Sequence, residues 1–246
     1  VPLANLQPND RIAIVGKTGS GKTVQGITLA SIFAQNLPAP WEVWWIDTKG
    51  DPNDIRLLRK WGFCDGNNPN DIAQPGRLRN ALYFKIEDID MDGYTFPVAL
   101  IAQAKIAEAY NRKHVIICID EYTQVVSSDR NEGSALRNTF TRGRGRQVGI
   151  IGLTQEPVYV PRKLVSQASH ICLFSLTYER DIKYVRDFCP GYRPPVEQGD
   201  PHGFYWKWID GSTTIRWAYY KNQKEWYDNL DIAAPRTMAE GQKVPK

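Results

Sequence analysis

Cysteine and histidine are scarce in this chain of 246 residues, with only four of the first and three of the second. Cys64, Cys118, Cys172 and Cys189 form no CxxC pair, and His114, His170 and His202 share no ligand spacing with one another or with a cysteine. A zinc ribbon and a disulfide framework are therefore both unexpected, and a reducing, cytoplasmic setting is the simplest expectation. Cys118 and Cys172 lie inside apolar runs and read as buried small hydrophobes. Long apolar runs are missing too. None approaches the roughly 18 residues that a spanning helix needs, so no intrinsic membrane segment is expected. The first ten residues hold no basic stretch leading into an apolar one, so no secretory leader is read there. Charge of one sign is not in large excess either. Lys plus Arg is 31 against 27 for Asp plus Glu, a net +4 that neither requires nor excludes a polyanionic partner. No internal repeat or low-complexity tract is visible, which removes solenoids and fibrous folds.

What is present is a globular composition, 42% hydrophobic and 24% charged. At about 150 residues per domain, this length suits one large domain with small appendages. We expect it over 1–232, with a hairpin addition at about 203–221 and a flexible tail over 233–246. Short β-type runs alternate with helical stretches, the pattern of an α/β fold with a mainly parallel central sheet. Strands are expected at Arg11–Val15, Trp41–Asp47, Ala81–Ile86, His114–Ile119, Val148–Leu153 and Ser169–Ser175. Helices are expected at Lys22–Gln35, Pro97–Arg112, Ser134–Thr141 and Tyr178–Phe188. In the second helix Leu100, Ile101, Ala104, Ile106 and Ala107 supply the apolar face. Asp65–Pro75 reads as a loop. Phe204–Ile209 and Thr213–Tyr220 flank Asp210-Gly211, a C-terminal β-hairpin whose aromatics read as sheet and core packing.

The strongest motif is Gly16-Lys17-Thr18-Gly19-Ser20-Gly21-Lys22-Thr23, a complete G-x-x-x-x-G-K-T between a strand and a helix. Its glycines let backbone N–H groups turn inward around a phosphate, and the helix N-terminus adds its positive end. Gly16, Thr18, Gly19, Ser20 and Gly21 would cradle the nucleotide, Lys22 would face the β- and γ-phosphates, and Thr23 would ligate Mg²⁺. ATP and Mg²⁺ are the expected cofactors. Ile116-Ile117-Cys118-Ile119-Asp120-Glu121 is an apolar strand ending in two carboxylates. Asp120 is the candidate for the Mg²⁺ shell, and Glu121 for the base that polarises an attacking water. Gly145 to Pro157 is a strand ending in Thr154-Gln155, which places an amide where it can contact the γ-phosphate or the water. Arg142, Arg144 and Arg146 form a Gly-interleaved basic cluster. Arg56, Arg59, Lys60 and Arg130 follow strand ends, as channel-lining or solvated residues would.

Taken together, the glycine-rich loop, the Asp-Glu strand, the Gly-Arg-x-x-Gly strand ending in Thr-Gln-x-Pro and the segment Trp45-Ile46-Asp47-Thr48-Lys49-Gly50 resemble the FtsK/HerA superfamily. The resemblance runs from about Arg11 to Tyr220. It implies a RecA-like P-loop NTPase that hydrolyses ATP and translocates double-stranded DNA as a ring, a hexamer or pentamer of this chain. Arg146 becomes the candidate arginine finger toward a neighbouring subunit, with Arg144 and Arg142 as substitutes. Little sequence precedes Gly16, and within the superfamily this resembles viral genome-packaging ATPases, with a capsid vertex or portal component as a further partner and the host cytoplasm or virion as location. The alternatives are a DNA-segregation or conjugation pump of the same superfamily, and a P-loop ATPase for phage assembly that acts on a protein at the membrane.

Overall fold

A computed structural model describes residues 6–91, 94–126, 133–160, 162–210 and 214–228. The expected tail over 233–246, residues 211–213 of the hairpin turn, and Arg130 lie outside the described residues. Eleven strands are present among those described. They are β1 (Arg11–Val15), β2 (Glu42–Asp47), β3 (Cys64–Asp65), β4 (Ala81–Lys85), β5 (Ile89–Met91), β6 (Tyr94–Phe96), β7 (Val115–Asp120), β8 (Val148–Thr154), β9 (His170–Leu173), β10 (Phe204–Asp210) and β11 (Thr214–Tyr220). The helices are α1 (Lys22–Asn36), α2 (Pro52–Lys60), α3 (Pro69–Ile72), α4 (Val98–Arg112), α5 (Tyr122–Val125), α6 (Ser134–Arg146), α7 (Arg162–Ser166), α8 (Glu179–Arg186) and α9 (Gln223–Asp228).

Nine strands form one sheet in the order β11-β10-β9-β1-β8-β7-β2-β4-β3, and β5 and β6 pair separately. From β9 to β3 every pairing is parallel, while β10 and β11 add an antiparallel edge. The central strands alternate between two hydrophobic layers, as a period of two requires. Ile12 and Ile14, Val43 and Trp45, Ile116 and Cys118 join the layer of α1. Ala13 and Val15, Trp44 and Ile46, Ile117 and Ile119 join the layer of α4 and α6. The sheet is thus covered on both faces, which is why its strands read as near-continuous apolar runs. Helix α1 lies close against it. A Cβ on Gly26 would sit about 3 Å from Leu153 and Trp45 side-chain atoms, so a glycine sets that approach.

The fold corrects three expectations. Helix α6 does not stop at Thr141 but continues through Gly143 and Gly145 to Arg146. Its buried Leu136 and Phe140 pack with α4 residues, and that tertiary burial outweighs the poor helix propensity of two glycines. In α4, Leu100 is 56% exposed and Ala104 is also exposed; Ala102, Ile106, Ala109 and Tyr110 form the buried face. Asp65–Pro75 contains the short helix α3, begun by Asn68, whose side chain accepts from the Asn70 N–H, with Pro69 in the first turn.

Candidate active site

All the motif residues but the arginines come to the edge of the sheet where the parallel strands end. The glycine-rich loop leaves β1 between its neighbours. Gly16 N–H donates to the Thr154 carbonyl at 3.1 Å, and Lys17 N–H to the Ser175 carbonyl at 2.7 Å. Gly21 caps α1 at φ +102°, a left-handed conformation that glycine adopts without steric penalty. Helix α1 has no acidic residue in its first turn, so its positive end is uncompensated by its own side chains. Lys22 is 4% exposed and curls back, Nζ donating to the Lys17 carbonyl at 3.2 Å. Burial, helped by the nearby charge of Lys49, lowers its pKa to about 8 against the pull of Glu121 and Asp120.

Strands β2 and β7 pair so that Asp47 lies opposite Asp120. Asp47 Oδ1 accepts the backbone N–H groups of Lys49 and Gly50 at 3.0 and 2.9 Å, a side-chain turn that bends the chain at the end of β2. Thr48 Oγ1 donates to the Asp120 carbonyl at 2.6 Å. Lys49 Nζ then reaches Asp120 Oδ1 at 2.8 Å. Asp120 is fully buried, and burial raises its pKa despite Lys49. The neighbouring charge of Asp120 acts together with burial on Asp54, whose pKa is pushed up to about 6.

Glu121 follows at φ +63°, a conformation that is uncommon for a residue with a side chain. One of its oxygens, Oε2, accepts from Gln155 Nε2 at 2.9 Å; the other, Oε1, accepts from Thr123 Oγ1 at 2.6 Å. Strand β8 lies between β1 and β7, so Gln155 at its end stands between the loop and the carboxylates. The oxygen of the same amide accepts from Thr18 Oγ1. One side chain therefore bridges the phosphate-type loop and the acidic strand.

A cleft of about 710 Å³ opens over these groups and is lined by Thr18, Gly19, Gly21, Lys22, Thr23, Lys49 and Gln155. Phe174, His202, Asn222, Gln223 and Lys224 also line it, with Phe174 and His202 close beside Gly21. Sequence reading did not assign these, nor Lys49 and Asp54, to the site. Phe174 packs on Phe204 of the hairpin at 5.0 Å between ring centroids, which ties the antiparallel edge to the loop.

The arginines lie elsewhere. Helix α6 ends where β8 begins, so Arg146 sits at the opposite edge of the sheet, its guanidinium 4.9 Å from the ring centre of Tyr110. Arg142 is exposed on the same helix. The Arg144 side chain lies outside the described residues. Of the basic residues after β2, Arg59 is engaged by the chain itself, Nε donating to Tyr83 Oη at 3.0 Å.

The site suits Mg²⁺ as a shared ion. Asp120 Oδ2 is buried with no hydrogen-bond partner, and the Thr23 hydroxyl belongs to the adjoining cleft. Among the described residues no group of three or more His, Cys, Asp or Glu is arranged to hold a metal. The ion would therefore have to complete its shell with phosphate and water, which is the usual preference of Mg²⁺.

Sheet order, loop and carboxylates define the class: a RecA-like α/β protein of the P-loop NTPase fold. Comparison with known proteins then narrows it. The chain is 27% identical over 186 residues to the DNA packaging ATPase P9 of Enterobacteria phage PRD1, covering 74% of this chain and 72% of P9. The structure of the genome packaging NTPase B204 from Sulfolobus turreted icosahedral virus 2 in complex with ATP-gammaS aligns with a TM-score of 0.57 at 15% identity, over 86% of this chain and 98% of B204. EssC (ATPases 2 and 3) from Geobacillus thermodenitrificans aligns with a TM-score of 0.53 at 12% identity, over 86% of this chain and 39% of that one. The last two speak for the fold alone. No family model matches the chain. The resemblance read from the motifs holds: in sequence and fold this chain is similar to viral genome-packaging ATPases. Among the described residues no helix is long and apolar enough to cross a membrane.

Proposed function

We propose that the chain is an ATPase that couples ATP hydrolysis to the movement of double-stranded DNA, in the packaging of a viral genome. The observation that carries the reading is the Gln155 amide, which bonds Thr18 of the loop on one side and Glu121 on the other. A residue so placed senses both the phosphate end of a nucleotide and the carboxylate that acts on water.

In this reading the N–H groups of the loop from Gly16 to Gly21 and the start of α1 cradle the phosphates. Lys22 neutralises the β- and γ-oxygens, whose negative charge offsets the burial that disfavours its own. Thr23 and Asp120 would hold Mg²⁺, which would offset the negative charge that develops on the phosphates. Glu121, which accepts from Thr123 and Gln155, orients and polarises the attacking water. Gln155 couples the two. Arg146, at the far edge of its own sheet, reaches a γ-phosphate only across an interface with another copy, so the working form is a ring with composite sites.

The test is ATP turnover with and without long duplex DNA over a range of salt concentrations. Stimulation by DNA that falls steeply with salt is expected, because phosphate contacts release counterions. Turnover indifferent to duplex DNA contradicts the coupling and favours a protein partner. Mixing Lys22→Ala with Arg146→Ala protein tests the ring. Activity above the sum of the two is expected, and strict additivity excludes a finger in trans.

A further inference from the structure

We propose that Lys49 is a stand-in cation. Its ammonium occupies Asp120, and a Mg²⁺-nucleotide displaces it from that carboxylate onto phosphate. The inference rests on the nucleotide-site reading above and adds to it a residue and an order of events.

Lys49 is held in place by the turn that ends β2. Asp47 turns the backbone through the N–H groups of Lys49 and Gly50, Thr48 ties the turn to the Asp120 carbonyl, and Gly50 completes it at φ +65°. The resulting ion pair is lopsided. The Asp120 side chain has no exposure, whereas that of Lys49 is 21% exposed and lines the cleft. Lysine is thus the partner free to leave, and the cleft is where it can go. The pair is also incomplete. Lys49 satisfies Oδ1 at 2.8 Å, while Oδ2 remains buried with no partner. A compact divalent ion can take the second oxygen, and it then competes with the ammonium for the carboxylate's charge. Lys49 also lies close enough to Lys22 to disfavour the latter's charge. Lys22 and Lys49 share the cleft with Asp51 and Asp54, and a phosphate bound beside Lys22 places a further strong acceptor within the same cleft for an ammonium released from Asp120.

The experiment measures binding of a fluorescent, non-hydrolysable ATP analogue against free Mg²⁺ concentration, and in EDTA, for wild type, Lys49→Met and Lys49→Arg. Removing the competing cation in Lys49→Met should lower the Mg²⁺ concentration at half-maximal binding by about fivefold or more, the scale of one charge-assisted contact. The same variant should bind the analogue more weakly in EDTA, because a phosphate partner is gone. Lys49→Arg, which keeps the charge, should lie close to wild type in both. An unchanged or raised Mg²⁺ requirement in Lys49→Met overturns the proposal, as does undiminished binding in EDTA. Should Lys49→Met fail to fold, nuclear magnetic resonance of the lysine ammonium groups in wild type answers the same question. The Lys49 signal should move on adding Mg²⁺ with the analogue, and a signal unchanged at saturation overturns the hand-over. Wild type that binds no nucleotide at any Mg²⁺ concentration overturns the nucleotide-site reading and this inference together. Binding with an unaltered Mg²⁺ requirement overturns the hand-over alone.

Discussion

Two buried aspartates at opposite edges of the same sheet are treated in opposite ways. Asp10, at the entrance to β1, accepts from the Gln7 N–H at 2.7 Å and Ser169 Oγ at 2.9 Å, and pairs with His170 Nε2 at 3.1 Å. Burial works against its charge, but these partners, His170 foremost, outweigh it and hold the carboxyl below the usual range. Asp120, at the exit of β7, has Lys49 on one oxygen and nothing on the other, and burial pushes its carboxyl up. The entrance edge is finished by the chain itself. The exit edge holds charges whose desolvation is not offset until something binds, and in open parallel sheets that edge is where ligands sit.

The most severe way to break the exit edge is Lys22→Ala. Removing the charge that faces the phosphates should reduce turnover about 10³-fold or more and abolish measurable nucleotide binding. Wild-type affinity in that variant would show that the loop does not hold phosphate. Glu121→Gln separates binding from chemistry. It keeps the shape and the bond to Gln155, so nucleotide should still bind while hydrolysis falls roughly 10²-fold. Undiminished turnover would remove Glu121 from the role of base.

These residues were legible because each belongs to a contiguous motif whose chemistry depends on neighbours in sequence. What was not legible depends on neighbours in space. Lys49 meets Asp120 only because β2 pairs with β7, a contact between residues 71 apart. Asn222 to Lys224 reach the cleft from the far side of the hairpin, which no local pattern announces. The alternation of strands with helices was visible, whereas the extent of α6 was not, since Gly143 and Gly145 argue locally for a stop that packing against α4 overrides. The short helix α3 did carry a signal, an Asn-Pro start, within a stretch whose composition reads as loop. The hairpin aromatics behaved as packing residues, with Phe204, Trp206 and Tyr220 buried.

The pH dependence sharpens the contrast without a mutation. Burial and the nearby charge of Lys49 lower the pKa of Lys22 to about 8, so above that pH it loses the ammonium that phosphate needs. Nucleotide affinity should be level below about pH 8 and then fall by up to about tenfold per unit, since binding must re-protonate the lysine. An affinity that stays level through pH 9.5 would show that Lys22 keeps its charge in the cleft and that burial does not lower its pKa.

The mildest expected effect on nucleotide chemistry comes from the entrance edge. Asp10→Asn removes a charged acceptor of three buried or half-buried groups and should cost about 2–3 kcal/mol of stability while leaving nucleotide affinity unchanged. Because the folded carboxyl is held below its ordinary value, that contribution is present above about pH 4. It should fade as pH falls through the folded-state value, so denaturation of wild type and variant should converge in acid. A loss of nucleotide affinity in Asp10→Asn would mean that the two edges are coupled.

The most direct test of the exit edge as a nucleotide site is thermal unfolding with and without Mg²⁺ and a non-hydrolysable ATP analogue, in wild type and Lys22→Ala. Ligand at about a thousand times its dissociation constant stabilises a folded protein by about 4 kcal/mol, so wild type should melt several degrees higher with ligand. Lys22→Ala should not shift under the same conditions. Equal shifts in the two proteins, or none in wild type, would contradict the account.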